Sequence, residues 1–395
     1  MKKVLIYCDD FYPKNNGYAN AFSNLINSIL SNYNDVHITV ITSTEIGGFK
    51  ELCQPNLQLI RMKKNSRLKF FGKFINEYSI AKFINRFAKE NKIDMVFVET
   101  FDQPFMLSLL NKKVYDKMAV RIHSTSETEY TFFIRKFIYV LKKWLITTIV
   151  SRKLKWVVST NSFHIEFAKK YYFKGNLIDI GKVNFFVVPN TIYPDSDYSV
   201  QNYQFPNKIK AVILGRMEFE GFIQKGFIDL FIALNTVSPA VLERFELTVV
   251  GQGPHRDELE KLSSQLECVK FIDSLPHNEI INKLLDSDMV ILPSRFEGLS
   301  MFALEGLACG NMCLFSKTGG LTDLIDRNGY FTEVQNINSI KNALIDISQL
   351  SASEINQMKD RSIELYRQNF TNSIAARAFM ELLQVVSIIS GKDEI

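Results

Sequence analysis

Short apolar runs alternate with helix-length amphipathic segments along the first half of the chain, and after a break the same alternation begins again. Runs rich in Val, Ile, Phe and Met lie at 4–7, 36–41, 95–99, 118–123, 155–160 and 184–188, with helical stretches between them, the first over about 19–30. Strands with no polar alternation are those covered on both faces of a sheet. Strand, helix, strand in repetition means a parallel sheet with helices on both sides. The break falls at Tyr193-Pro194-Asp195-Ser196-Asp197 and Phe205-Pro206-Asn207, a polar linker containing proline. Strands then follow at 209–214, 245–250, 269–272, 289–293 and 312–315, separated by helices near 229–237, 257–266, 278–285 and 301–309. A chain of 395 residues exceeds one ordinary hydrophobic core. The expected architecture is α/β, with one doubly wound domain over 1–190 and a second over 206–370, facing each other across a cleft. A last helix, over about 371–390, is expected to pack back on the first domain.

The net charge of +5 conceals an asymmetry. Residues 1–190 hold 29 Lys+Arg against 15 Asp+Glu, a balance of +14, and the remainder holds 18 against 27, a balance of −9. A basic half joined to an acidic half points the first half toward something anionic. The charge concentrates between Tyr130 and Ile165, where no acidic residue occurs and Arg135, Lys136, Lys142, Lys143, Arg152, Lys153 and Lys155 alternate with Phe, Tyr, Trp and Leu. That spacing describes an amphipathic helix with a cationic face, ordinarily a solvated surface and, beside exposed aromatics, a membrane-interface contact. The segment 61–73 adds a second basic and apolar patch. No nucleic-acid recognition motif accompanies either patch.

Five scattered cysteines, with no CxxC and no His neighbours, describe reduced thiols rather than a disulfide or zinc framework. No run reaches the ~20 apolar residues of a membrane-spanning helix, and the apolar stretch at 4–7 is too short for a signal peptide. The expected location is the cytoplasm, peripheral to the inner face of the membrane.

The window with the most chemistry is Ser294-Arg295-Phe296-Glu297-Gly298-Leu299-Ser300-Met301-Phe302-Ala303-Leu304-Glu305-Gly306. A buried strand ends just before it, a loop carries Glu297-Gly298, and a helix starts near Ser300, whose first backbone N–H groups can receive anionic oxygens. Glu305 lies about one and a half turns into that helix, so both carboxylates address a ligand at the helix start. Carboxylates accept paired hydrogen bonds from vicinal hydroxyls.

Glu297, seven residues and Glu305, followed by Gly319-Gly320-Leu321-Thr322-Asp323, resembles the signature of the retaining glycosyltransferase family 4 of the GT-B fold, which consists of two Rossmann-like domains. The resemblance extends from about residue 4 to about residue 390. It implies that Arg216 and Lys225, in Leu214-Gly215-Arg216 and Lys225-Gly226-Phe227, grip the pyrophosphate of a nucleotide-sugar donor, UDP-linked by preference. The nine-residue spacing from Arg216 to Lys225 departs from the family pattern and reads as a small loop insertion over 218–221. The resemblance further implies that Glu305 takes the ribose hydroxyls, Glu297 the donor sugar, Gly298, Leu299 and Ser300 the remainder of the donor, and that Leu275 lies where the base packs. From the first domain it implies the loop ending at Gly17, beneath the phosphates, and His123, facing the sugar. A lone histidine at a strand end is otherwise a satisfied core residue. The implied reaction moves a sugar to a hydroxyl of a saccharide or lipid-linked acceptor, in surface polysaccharide or glycolipid synthesis, with the anomeric configuration retained. It needs no cofactor and no metal, because the two cations replace one.

Two other motifs carry less. Gly251-Gln252-Gly253 lacks the third glycine of a dinucleotide fingerprint and has Arg256 in its place. Asp286-Ser287-Asp288 mimics a metal-binding D-x-D but stands at a helix end before a strand. The rival functions are a nucleotide-sugar epimerase of the same fold and a catalytically silent membrane or nucleic-acid adaptor.

Overall fold

Alternate residues of strand β1 (Lys2–Tyr7) enter opposite hydrophobic cores, which is why Val4-Leu5-Ile6-Tyr7 carries no polar residue. Val4 and Ile6 pack with Phe22, Phe97 and Trp156, while Leu5 and Tyr7 pack with Ile84, Val98 and Val157 on the other face. The computed structural model describes all residues except 15, 46, 49, 65–70, 100, 102, 123–135, 174–179, 196–197 and 393–395. The chain divides into two compact units, Met1–Pro194 with Asn372–Ile395, and Asp195–Thr371.

In unit 1, β1 is joined by β2 (Val36–Thr42), β3 (Leu57–Arg61), β4 (Met95–Val98), β5 (Met118–Ile122), β6 (Trp156–Ser159) and β7 (Asn184–Val187). The order is β3-β2-β1-β4-β5-β6-β7, every pair parallel, with Ile6 opposite Val40 on one side and Phe97 on the other. Helix Gly17–Asn32 starts where the Asn16 side chain accepts a hydrogen bond from the Ala19 N–H at 2.8 Å, which satisfies one of the donors a helix start leaves open.

Unit 2 repeats the plan. Its strands are β8 (Ile209–Leu214), β9 (Phe245–Val250), β10 (Val269–Ile272), β11 (Met289–Leu292), β12 (Met312–Ser316) and β13 (Gly329–Thr332), ordered β10-β9-β8-β11-β12-β13 and all parallel. The strand order reverses at β1/β4 in unit 1 and at β8/β11 in unit 2. In open parallel sheets, ligands bind outside the carboxyl ends of the strands at such reversals.

The last helix, Asn372–Lys392, follows unit 2 in sequence and belongs to unit 1. The stretch it forms with helix Ala352–Asn369 contains an 18-residue window whose mean hydropathy of 1.4 is apolar enough to cross a membrane by length and composition, although no run of about 20 apolar residues occurs. Packing accounts for part of that hydropathy in the last helix. Ala375, Ala376, Phe379, Leu382, Leu383 and Val386 are all buried beside β1 and β4 residues in the core of unit 1. Phe379 is fully buried, with its ring 5.3 Å from that of Phe97. Phe379→Ala therefore opens a cavity and is expected to lower the stability of unit 1 by about 3–5 kcal/mol. Both tryptophans, Trp144 and Trp156, lie in unit 1, so urea denaturation followed by tryptophan fluorescence measures that loss directly.

Candidate active site

The carboxyl ends of β8 and β11 carry most of the residues that the sequence singles out in unit 2. Beyond β8, the stretch read as a loop insertion is instead part of a short helix, Phe219–Lys225, and Lys225 is its last residue. The extra residues thus form ordered backbone that returns Lys225 to the strand end, where a Cβ on Gly215 would lie only 2.8 Å from its Cγ. Gly226 ends this helix at φ +66°, and a Cβ there would come 2.2 Å from the Pro293 carbonyl. Only glycine permits both the left-handed turn and the approach.

That approach ties the two strand ends together. The Arg295 N–H donates to the Gln224 carbonyl at 2.8 Å. The Arg295 guanidinium forks onto the Asp229 carboxylate, with both bonds 3.0 Å long. This bidentate geometry fixes orientation as well as charge. Lys225 Nζ donates to Glu297 Oε2 at 3.0 Å, with the side chains 16% and 9% exposed. Two residues singled out separately in the sequence are therefore an ion pair at the mouth of the site. Arg216 is highly exposed and pairs with Glu218 at 2.8 Å.

Beyond Glu297 the chain turns through Gly298 and the buried Leu299 into helix Met301–Ala308. The Ser300 hydroxyl caps this helix by accepting from the Ala303 N–H at 3.3 Å. The Gly320 N–H donates to the Gly298 carbonyl at 2.9 Å. Gly319 has φ +51°, and a Cβ there would fall 1.7 Å from the Glu297 carbonyl oxygen. Glu305 is buried in the second turn, and His277 Nε2 lies 2.8 Å from its Oε1. This hydrogen bond is the leading cause that raises the His277 pKa above the ordinary imidazole value, against partial desolvation. Leu275, half-buried, stands two residues before His277 in the loop from β10 to helix His277–Leu285. Sequence reasoning missed His277, because nothing in the spacing pairs a residue of one helix start with the second turn of another helix.

In unit 1, Gly17 opens helix Gly17–Asn32 and is exposed, and among the described residues nothing beyond its chain neighbours and its own helix lies within 4 Å of where its Cβ would sit. The preceding loop is held by Asp10, which accepts from Lys14 Nζ at 2.6 Å and Asn16 Nδ2 at 2.9 Å. His123 lies outside the described residues. Two positions before it, Arg121 is fully buried and donates to Asn190 Oδ1 at 2.7 Å. Burial holds its pKa down to about 10, although Glu99 opposes the shift.

The look-alike motifs resolve into structure. Asp286 pairs with Lys210 at 2.7 Å, and Asp288 binds Lys359 Nζ at 2.8 Å and the Lys210 N–H at 3.0 Å. Both carboxylates are thus engaged by the protein's own donors. Arg256, standing where a dinucleotide fingerprint has glycine, bonds Asp273 and Glu260.

The contrast between the two glycines is testable. Gly319→Ala drives a methyl into the Glu297 carbonyl at positive φ and is expected to cost about 2–4 kcal/mol. Gly17→Ala meets open space and is expected to stay within about 0.5 kcal/mol of wild type. Thermal unfolding monitored by circular dichroism distinguishes them, and equal midpoints for the two variants would contradict the crossing at Glu297.

Residues 198–364 match the family model described as glycosyl transferases group 1. An uncharacterized glycosyltransferase of Methanocaldococcus jannaschii is 22% identical over 342 residues, covering 85% of this chain and 86% of its own. Among solved structures, sucrose-phosphate synthase from Thermosynechococcus elongatus superposes with a TM-score of 0.76 at 14% identity, covering 98% of this chain and 99% of its own. The Anabaena protein HepE, solved in complex with UDP and glucose, superposes with a TM-score of 0.68 at 15% identity, covering 97% of this chain and 100% of its own. The chain is thus a glycosyltransferase-type enzyme on the GT-B fold.

Proposed function

We propose that the protein transfers a sugar, with retention of anomeric configuration, from a nucleoside diphosphate donor to a hydroxyl of a saccharide or lipid-linked acceptor. The observation that carries this reading is the arrangement at the β8/β11 reversal. There Lys225 touches Glu297, and Glu305 lies on the helix that starts three residues after Gly298. The chemistry follows from charge. As the bond to the sugar breaks, the nucleoside diphosphate gains negative charge, and Lys225 and Arg216 stabilise it as fixed cations without a metal. Lys225 meets the phosphate by sharing or leaving Glu297, which frees that carboxylate for the sugar hydroxyls. Glu305 accepts from the ribose diol, the Gly298–Ser300 turn lines the donor, and Leu275 flanks the base. Gly17 is assigned to the phosphates and His123 to the transferred sugar. UDP is the preferred nucleotide, which accords with the ligand in the HepE structure.

A nucleotide that binds only the folded state raises the thermal midpoint. Millimolar UDP or GDP is expected to stabilise the wild-type protein, with affinity about tenfold or more weaker in Glu305→Ala, since a charged hydrogen bond is lost. No response of the folded protein to either nucleotide would overturn the donor site. The anomeric proton coupling of the transferred sugar, read by NMR, tests retention, and an epimerised donor formed without acceptor would favour the epimerase.

The acceptor side of the proposal includes the inner face of an anionic membrane, to which the cytoplasmic enzyme is peripheral. Helix Lys136–Leu145 leaves Val140, Leu141 and Trp144 at 60%, 42% and 54% exposure, with Lys142 and Lys143 among them. Each cation near an anionic surface contributes about 1 kcal/mol, and the apolar side chains suit the interface. In the second basic segment Arg61 is bound by Glu51, and residues 65–70 lie outside the described residues, so the contact is assigned to the helix. The protein is expected to co-sediment with phosphatidylserine-containing vesicles and not with pure phosphatidylcholine, and to lose most of that binding in a Trp144→Ala, Lys142→Glu, Lys143→Glu variant. Equal sedimentation of variant and wild type would exclude this surface.

A further inference from the structure

The hydrogen bond between His277 and Glu305 links an exposed group to a buried one. Glu305 is only 7% exposed, whereas the His277 side chain is 56% exposed at the first residue of its helix. Among the described residues, His277 is the side chain bonded to the Glu305 carboxylate, through Oε1. A carboxylate has two oxygens and several acceptor positions. One held oxygen fixes the plane of the group and leaves Oε2 to receive hydroxyls.

We propose that His277 is the positioning residue of the donor site: it holds the Glu305 carboxylate through Oε1, so that the other oxygen meets the nucleotide ribose. The inference rests on the donor-site reading given above and adds to it a residue with a titratable control. An imidazolium makes a charge-assisted bond to a carboxylate, stronger than the bond from neutral imidazole. The elements around His277 supply few other charges. Helix Met301–Ala308, which packs against the His277 helix, contributes Glu305, and just beyond its end the Cys309 thiol is pushed up to about 12 by burial and Glu305, so it stays neutral. The His277 helix itself carries Glu279 in its first turn and Lys283 in its last. In the preceding loop Asp273 is engaged by Arg256.

The sign follows from the raised pKa of His277. The charge-assisted bond is fully present below the ordinary imidazole pKa and fades as pH rises through the raised value. Donor affinity therefore falls over that interval. The anionic pyrophosphate of the donor acts in the same direction, since it favours the imidazolium.

The test is isothermal titration calorimetry of UDP-glucose and GDP-mannose between pH 5.5 and 8.5. Neither pyrophosphate diester ionises in that range, so the probe contributes no titration of its own. For whichever donor binds, the wild-type Kd is expected to rise about fivefold to tenfold across the interval. His277→Ala is expected to bind about tenfold more weakly at low pH, with a flat profile. His277→Gln, whose amide can donate to the carboxylate at every pH, is expected to recover most of the affinity while staying flat. A purely structural role would not produce a flat, rescued profile. Binding by both variants with the wild-type affinity and slope would overturn the positioning role and leave the donor site standing. Failure of the folded wild-type protein to bind either donor at any pH would overturn the donor site and this inference with it.

Discussion

The carbonyl of Glu297 occupies the space where residue 319 would carry a side chain, and unit 2 organises its reactive groups around that crossing. The loop after β11 can lie there only because the loop after β12 presents a glycine. The same loop is held from the opposite side by the Arg295–Asp229 fork and by the Gly226 turn against Pro293. Three strand ends thus fix one short segment of backbone. A site built in this way owes its geometry to rigid backbone rather than to the rotamers of long side chains, as a charged binding site requires.

The electrostatics follow the same economy. Lys225 and Glu297 are both largely buried, and either charge alone would be costly there. Paired, they compensate each other. Glu305 differs, because its partner, His277, stands toward solvent and is a titratable imidazole whose pKa the bond to Glu305 raises above the ordinary value. The two carboxylates share one loop and helix but answer to different cations, one permanent and one conditional.

Much of this was legible in the chain. The central strands announced themselves because burial on both faces removes polar residues from them, and β8, β9 and β10 lie at the expected positions. The strands missed were β3 and β13, both at sheet edges. Leu57–Arg61 is only partly buried and Gly329–Thr332 is four residues long, so neither forms a continuous apolar run. Within the site, Glu297 and Glu305 were legible because a single strand, loop and helix carries both. Asp229 with Arg295, and His277 with Glu305, were not, since each pair joins residues 66 or 28 positions apart and only the tertiary fold sets such distances. The helix at Phe219–Lys225 was hidden by its glycine, which has low helix propensity, yet a Cβ on Gly221 would meet the Arg216 carbonyl at 2.7 Å.

The membership of Asn372–Lys392 in unit 1 has a consequence for biosynthesis. Domains emerging from the ribosome fold as units, usually the N-terminal one first. Here the core around β1 and β4 lacks Phe379, Leu382 and Val386 until the whole of unit 2 has been translated. The second unit in sequence is therefore the first able to complete itself. The nascent first unit waits with an apolar sheet face exposed, a stretch of synthesis in which a chaperone has something to hold.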